Sequence, residues 1–232
     1  MDYLLEGLQT ALLLLFSGQP ETWSAVWATV KVTLLSMSAS LVLGVPLGFV
    51  LGYAEFPGRR ALRLVSDTFL ALPTVLIGLL VYAFLCRRGP FGEWGLLFTL
   101  SGIAIGQAIL ALPIVVSLTA QAVESQDVRL RQTLLTLGAG GGRLALGCLH
   151  EARFAVILAG LNAFGRVVTE VGISMMVGGN IKWDTRTITT AITLETGKGE
   201  FAVGIALGLI LLLMAFVVNT GLAVVKRKAG AR

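Results

Sequence analysis

Apolar residues run almost unbroken through five stretches of this chain, at 26–53, 62–85, 96–118, 154–177 and 201–225. Each is long enough, as a helix of ~20 residues or more, to cross a ~30 Å hydrocarbon core. A helix is the element predicted for each, because it satisfies its own backbone hydrogen bonds where water is absent. The ~10-residue alternating segments of a membrane β-barrel do not occur. The opening stretch, 3–16, is apolar but only about 14 residues long, and it stops at Ser17-Gly18-Gln19-Pro20. That length predicts an interfacial or re-entrant helix rather than a span. Asp2 and Glu6 stand where a secretory leader would carry positive charge. The expected plan is an N-terminal interfacial helix at 1–22, a five-span bundle at 23–225 and a basic tail at 226–232. The fold class is therefore an all-α membrane protein.

Composition agrees with this pattern. Of 232 residues, 56% are hydrophobic and 13% charged, against ~25% charged in soluble domains. Charge also sets the orientation. Arg59, Arg60, Arg63, Arg129, Arg131, Arg143, Arg153, Lys226, Arg227, Lys228 and Arg232 fall on one side of the spans. Arg87, Arg88, Lys182, Arg186 and Lys198 fall on the other. The richer side is expected in the cytoplasm, with the N-terminus outside and the C-terminus inside. Trp23, Trp27, Trp94 and Trp183 all map to the outer boundary, where indole rings prefer to sit. The net charge of +5 thus follows the membrane and does not imply nucleic acid.

Glycine repeats at four-residue spacing (Gly44, Gly48 and Gly52; Gly102 and Gly106; Gly204 and Gly208) predict close helix packing, within one bundle or across a dimer. Pro46, Pro73 and Pro113 lie inside predicted spans and are expected to kink them. Cys86 and Cys148 map to opposite sides of the membrane. With the lone His150 they offer too few soft ligands for a zinc site.

The segment at 128–153 is too polar for lipid and too periodic for a plain loop. Leu130, Leu134 and Leu135 share one helical face, and Gly138 follows. Such a short amphipathic helix suits a groove on a partner, or is an ordinary surface helix between spans. Gly138 and Gly140–Gly142 are expected to supply the reversal after it. This segment resembles the cytoplasmic loop of ABC-transporter permeases, which carries Glu-Ala-Ala, then Gly, then Leu-Pro. With Gly138 on the family glycine, Gln132, Thr133 and Leu134 stand at the Glu-Ala-Ala positions, and His150-Glu151 replaces Leu-Pro. Arg143, Glu151 and Arg153 complete the expected coupling segment. The stretch 165–201, GRVVTEVGISMMVGGNIKWDTRTITTAITLETGKGEF, resembles the tungstate-type branch of the molybdate, tungstate and sulfate importers. The resemblance extends over about residues 20–225.

It implies a type I ABC importer permease fold and a translocation subunit for an oxyanion, tungstate first, with molybdate or sulfate as alternatives. It also implies a second copy of the chain, two ATPase subunits holding ATP and magnesium, and an external tungstate-binding protein, all at a prokaryotic plasma membrane. A stand-alone secondary carrier is the other class, but such carriers often show a repeat, which is not visible here. No nucleophile–base pair or complete phosphate loop points to an enzyme or to a cofactor on this chain. The stretch at 195–199, Glu-Thr-Gly-Lys-Gly, lacks the remaining phosphate-loop residues.

Polar groups inside the fourth span are the candidate path or gate. Asn162, Arg166, Glu170 and Ser174 are spaced by four, which on one helix makes a single stripe. A charge at this depth costs at least ~2.5 kcal/mol, so it faces a partner or a wet cavity. Arg166 and Glu170 are expected to pair, lining the path or bracing the bundle, although Arg before Glu is the weaker helical order. Lys31 either snorkels to the outer interface or guides the ion. Thr185, Arg186, Thr187, Thr189 and Thr190 either meet an oxyanion or serve as caps and turns.

Overall fold

The computed structural model describes Gln9, Thr10, Leu13 and residues 19–230. The expected interfacial helix at 1–22 and the end of the basic tail therefore fall largely outside the described residues. The described residues form helices and connecting turns, with no strand among them. In chain order these are α1 (Pro20–Tyr53), α2 (Arg59–Phe69), α3 (Thr74–Leu85), α4 (Leu100–Glu124) and α5 (Val128–Thr136). They continue as α6 (Gly141–Val168), α7 (Gly172–Gly178), α8 (Ile188–Gly197) and α9 (Phe201–Gly230), with one 3₁₀ turn at Gly92–Trp94.

Four helices, α1, α4, α6 and the Phe201–Gly221 part of α9, are long and apolar enough to cross a membrane, and α2 with α3 supplies a fifth if counted as one broken span. The single helix expected at 62–85 is interrupted at 70–73, because Pro73 has no N–H to continue α2. It adopts φ −62°, ψ 127° and caps α3 instead of kinking a span. Pro46 and Pro113 do lie inside α1 and α4. The helix expected at 154–177 also differs. It begins earlier, at Gly141, and stops at Val168, and the short α7 follows a break at 169–171.

The chain divides into two compact units, 1–36 with 73–107 and 165–232, and 37–72 with 108–164. The first unit has an apolar core of Ala25, Ile188, Ala191, Ala206, Leu207 and Ile210. In it α8 packs on α9 and α3 on α7. Gly106 permits a close approach, since a Cβ there would lie 2.5 Å from Ile173 Cγ2.

The second unit is held by the glycine row of α1. A Cβ on Gly48 would lie 2.6 Å from the carbonyl oxygen of Val116, and one on Gly52 would lie 2.5 Å from that of Ala120. The Gly44–Gly52 repeat thus closes α1 onto α4 within one chain. The repeat in α9 does something else, for nothing lies within 4 Å of a Cβ on Gly208.

Within this unit the polar face of α2 turns inward. Arg59 donates from Nε to the Leu51 carbonyl (2.8 Å) and from Nη2 to that of Gly52 (3.2 Å), so it satisfies orphan carbonyls at the end of α1. The same Nη2 lies 2.6 Å from Glu124, and Ser117 donates to Asp67. Leu62, Leu64, Val65 and Phe69 on the opposite face of α2 are exposed.

Candidate functional site

The coupling segment starts from a cap. Asp127 accepts a hydrogen bond from the Arg129 amide (2.9 Å) and opens α5. The helix ends where Gly138, at φ 79°, donates to the Leu135 carbonyl and Ala139 donates to that of Leu134. Gly138 alone of the expected glycines takes a positive φ. Gly141 and Gly142 instead begin α6, so the reversal is shorter than the glycine run suggested.

The predicted apolar face divides. Leu134 turns onto α6, where a Cβ on Gly147 would lie 2.8 Å from Leu134 Cδ1. Leu130 is half-buried and lines a cleft of about 280 Å³ with Tyr53, Arg131 and Cys148. Leu135 remains outward at 53% exposure, joined by Leu137 at 77% and Leu146 at 68%. Leu137 and Leu146 were missed by periodicity, since Leu137 is the residue that ends α5 and Leu146 lies on the next helix. Gln132, Gly138, Arg143 and Glu151 are exposed. Arg153 is half-buried, donating to the His150 carbonyl (2.8 Å) and lying 4.5 Å from the Phe154 ring centre. Gln126 anchors the segment by donating to the Cys148 carbonyl (2.6 Å). The result is a firmly held platform with three outward leucines.

The polar stripe is not one stripe. Asn162 and Arg166 lie exposed on α6, and Asn162 donates to the Leu158 carbonyl of its own helix. Glu170 lies beyond the end of α6 and is buried. Its Oε1 accepts from the Ile173 amide (3.1 Å) at the start of α7. Its carbonyl accepts from Thr189 Oγ1 (3.0 Å), and Ser174 is fully buried beside it. No ion pair joins Arg166 to Glu170 among the described residues. The expected pairing is corrected for a physical reason. The carboxylate meets unsatisfied N–H groups where α7 begins, while the guanidinium stays in the last turn of α6, near its carbonyl end.

The hydroxyls of the Thr185–Thr190 region serve the backbone. Thr187 and Thr190 form a reciprocal capping box at the start of α8. Thr29 accepts from the Ile188 amide (2.9 Å), and Thr185 donates to the Gly178 carbonyl. All four of Thr185, Thr187, Thr189 and Thr190 are buried. Arg186 is engaged too, at 2.8 Å from Glu21, with Lys182 at 2.7 Å from the other oxygen of that carboxylate. Lys31 is exposed. The Glu195–Lys198 stretch ends α8, with Lys198 paired to Glu195 at 2.8 Å. Among the described residues no group of three or more His, Cys, Asp or Glu side chains gathers to hold a metal ion.

Long apolar helices and glycine-closed packing define a multi-pass membrane protein, with a helical hairpin that carries outward leucines. The chain belongs to the family of binding-protein-dependent transport system inner membrane components, whose model matches residues 44–230. It is 47% identical to the tungstate uptake system permease protein TupB of Campylobacter jejuni, over 94% of this chain and 92% of that one. It is 33% identical to TupB of Peptoclostridium acidaminophilum, over 94% and 96% of the two chains. Its identity with the molybdenum transport system permease protein ModB of Escherichia coli K12 is 32%, over 83% and 91%. In fold it is similar to a chain of the MetNI methionine ABC transporter in an inward-facing conformation. That likeness has a TM-score of 0.72 and covers 91% of this chain and 98% of that one at 17% identity. The type I importer permease fold follows.

Proposed function

We propose that this chain is the permease subunit of an ATP-driven tungstate importer. The reading is carried by the 47% identity with a tungstate uptake permease along almost the full length of both chains. The molybdenum permease is more distant, at 32%. Two copies of the chain form the pathway, and an external binding protein delivers the anion. Two ATPase subunits hold ATP and magnesium and dock on the hairpin of α5 and α6. Leu135, Leu137 and Leu146 are the apolar anchors of that dock. Exposed leucines on a well-braced support suit a partner groove, since burying each one contributes roughly 1.5–3 kcal/mol. ATP-driven closure of the ATPases then shifts the permeases between outward- and inward-facing states by binding one state better.

Asn162 and Arg166 are the groups proposed for the path or gate. An exposed guanidinium at bilayer depth is costly against lipid, so it faces the second copy or a wet passage. Glu170 and Ser174 act behind them, fixing the start of α7. The test is uptake into proteoliposomes holding the permease, its ATPase and the binding protein. Tungstate should enter only with ATP inside and binding protein outside. Uptake without the ATPase, or a preference for sulfate or molybdate, would refute the assignment.

A further inference from the structure

We propose that the cleft beside the start of α2 is a binding site for a tetrahedral oxyanion. It lies wholly within the second unit and has a volume of about 850 Å³. Arg59, Arg60 and Arg63 line it, against the two carboxylates of Glu55 and Glu124. With Asp67 beside Arg63 the carboxylates number three, so charge is balanced, yet the pairing leaves guanidinium donors over. Glu124 is shared, at 2.6 Å from Arg59 and 3.8 Å from Arg63. Arg63 also reaches Asp67 through Nε at 3.4 Å, yet its Nη1 is buried with no hydrogen-bond partner. Arg60 has no ion-pair or hydrogen-bond partner among the described residues.

Arg60 is exposed on the cleft, and its guanidinium fork matches the oxygen spacing of a tetrahedral anion. The backbone adds to the positive field in a minor way, for the first turn of α2 holds no acidic residue and Gly58 offers no side-chain cap. The opening is far wider than one tetrahedral ion. Such an ion is held with part of its water shell and leaves easily, as a conduit requires. The excess of basic residues assigns this face to the cytoplasm, where an imported anion leaves.

The inference rests on the importer reading for the identity of the cargo. The phosphate of an anionic lipid presents the same tetrahedral chemistry, and the exposed Leu62, Leu64, Val65 and Phe69 give α2 a lipid-compatible face. The experiment separates the two sources. Full-length permease with its ATPase is placed in nanodiscs of phosphatidylcholine, with or without phosphatidylglycerol. Sodium tungstate and, separately, inorganic phosphate are titrated calorimetrically.

In phosphatidylcholine alone, weak binding is expected, with Kd above roughly 100 µM. Arg60→Gln should weaken it about tenfold, the worth of one charge-assisted hydrogen bond. Arg60→Gln/Arg63→Gln should abolish it. Arg60→Gln keeps the test sound if the double variant folds poorly, since no described contact depends on Arg60. Loss of the signal when phosphatidylglycerol is present assigns the site to a headgroup, and persistence assigns it to the free ion. Binding that neither variant alters, or no binding of either ion in phosphatidylcholine, overturns the site. ATP-driven tungstate uptake is measured in parallel, with the same permease and ATPase in proteoliposomes and the binding protein outside. Uptake without cleft binding refutes this inference and leaves the importer reading intact, whereas cleft binding without uptake does the reverse.

Discussion

Replacing Gly52 by alanine should loosen the second unit by a calculable amount. The new Cβ would lie 2.5 Å from the Ala120 carbonyl oxygen and 2.9 Å from Val123 Cβ. Ordinary contact begins near 3.4 Å, so α1 and α4 must part locally by roughly the difference between these distances. Overpacking of this kind costs about 1–3 kcal/mol. Alanine returns up to ~1 kcal/mol through its better helix propensity. The net loss is then about 1–2 kcal/mol, because backbone on both sides leaves no flexible side chain to yield. Gly48→Ala, at 2.6 Å from the Val116 carbonyl, should behave alike.

Gly208→Ala in α9 is the matched control. It makes the same chemical change in a helix, with nothing within 4 Å of the new methyl. Thermal unfolding in one detergent, read by fluorescence-detected size exclusion, compares the three variants. At about 2–4 °C per kcal/mol for a chain of this size, Gly52→Ala and Gly48→Ala should fall by roughly 2–8 °C. Gly208→Ala should match or exceed the parent. A Gly52→Ala protein that melts with Gly208→Ala would refute the claim that the glycine row closes α1 onto α4.

The remaining predictions concern the sites. Leu135→Asp/Leu137→Asp should release the ATPase in co-purification without lowering the melting temperature. Leu134→Asp should lower the melting temperature, because it drives a carboxylate against Gly147. Gly138→Ala forces a left-handed conformation at φ 79° and should cost about 1–2 kcal/mol, with Gly138→Asn milder. Arg166→Met and Glu170→Leu should be additive in stability within about 0.5 kcal/mol, as expected of groups that share no contact. A larger coupling energy would restore the ion pair that the helix break removes. Glu170→Leu alone should cost about 1–3 kcal/mol by orphaning the Ile173 amide.

What the sequence disclosed, and what it hid, follows from one assumption inside periodicity. Spacing by four places residues on one face only while the helix is unbroken. Through α1 it is unbroken, and Gly44, Gly48 and Gly52 do form one face against α4. At 169–171 it is broken, and the same rule misplaced Glu170 and Ser174 beside Arg166. Nothing local announces that break, since Thr-Glu-Val holds neither proline nor glycine. The signal lies in the capping chemistry, a carboxylate three residues before the amide it receives. In the coupling segment the helix and its closing glycine were legible, because a cap and a positive φ are local properties. The direction of each leucine was not, for it depends on how α6 returns. Leu134 is inward only because Gly147 leaves room for it.

The same reasoning explains why hydroxyls near the second helix break do not make an anion site while arginines of the second unit suggest one. A buried hydroxyl can be satisfied by the nearest backbone group, and Thr185, Thr187, Thr189 and Thr190 all are. Their geometry leaves no converging set of free donors. A guanidinium carries five donors in a rigid fork, so a crowded cluster exhausts its acceptors first. Arg59 engages three of its five donors, with two carbonyls and a carboxylate. Arg63 is left with a buried nitrogen unpaired, and Arg60 faces the cleft with none of its donors engaged among the described residues. Counting donors against acceptors, rather than counting basic residues, is the ground on which the cleft beside α2 is proposed for an oxyanion. It also accounts for why the threonine-rich segment at 185–190, which looks the better anion binder in sequence, is structural.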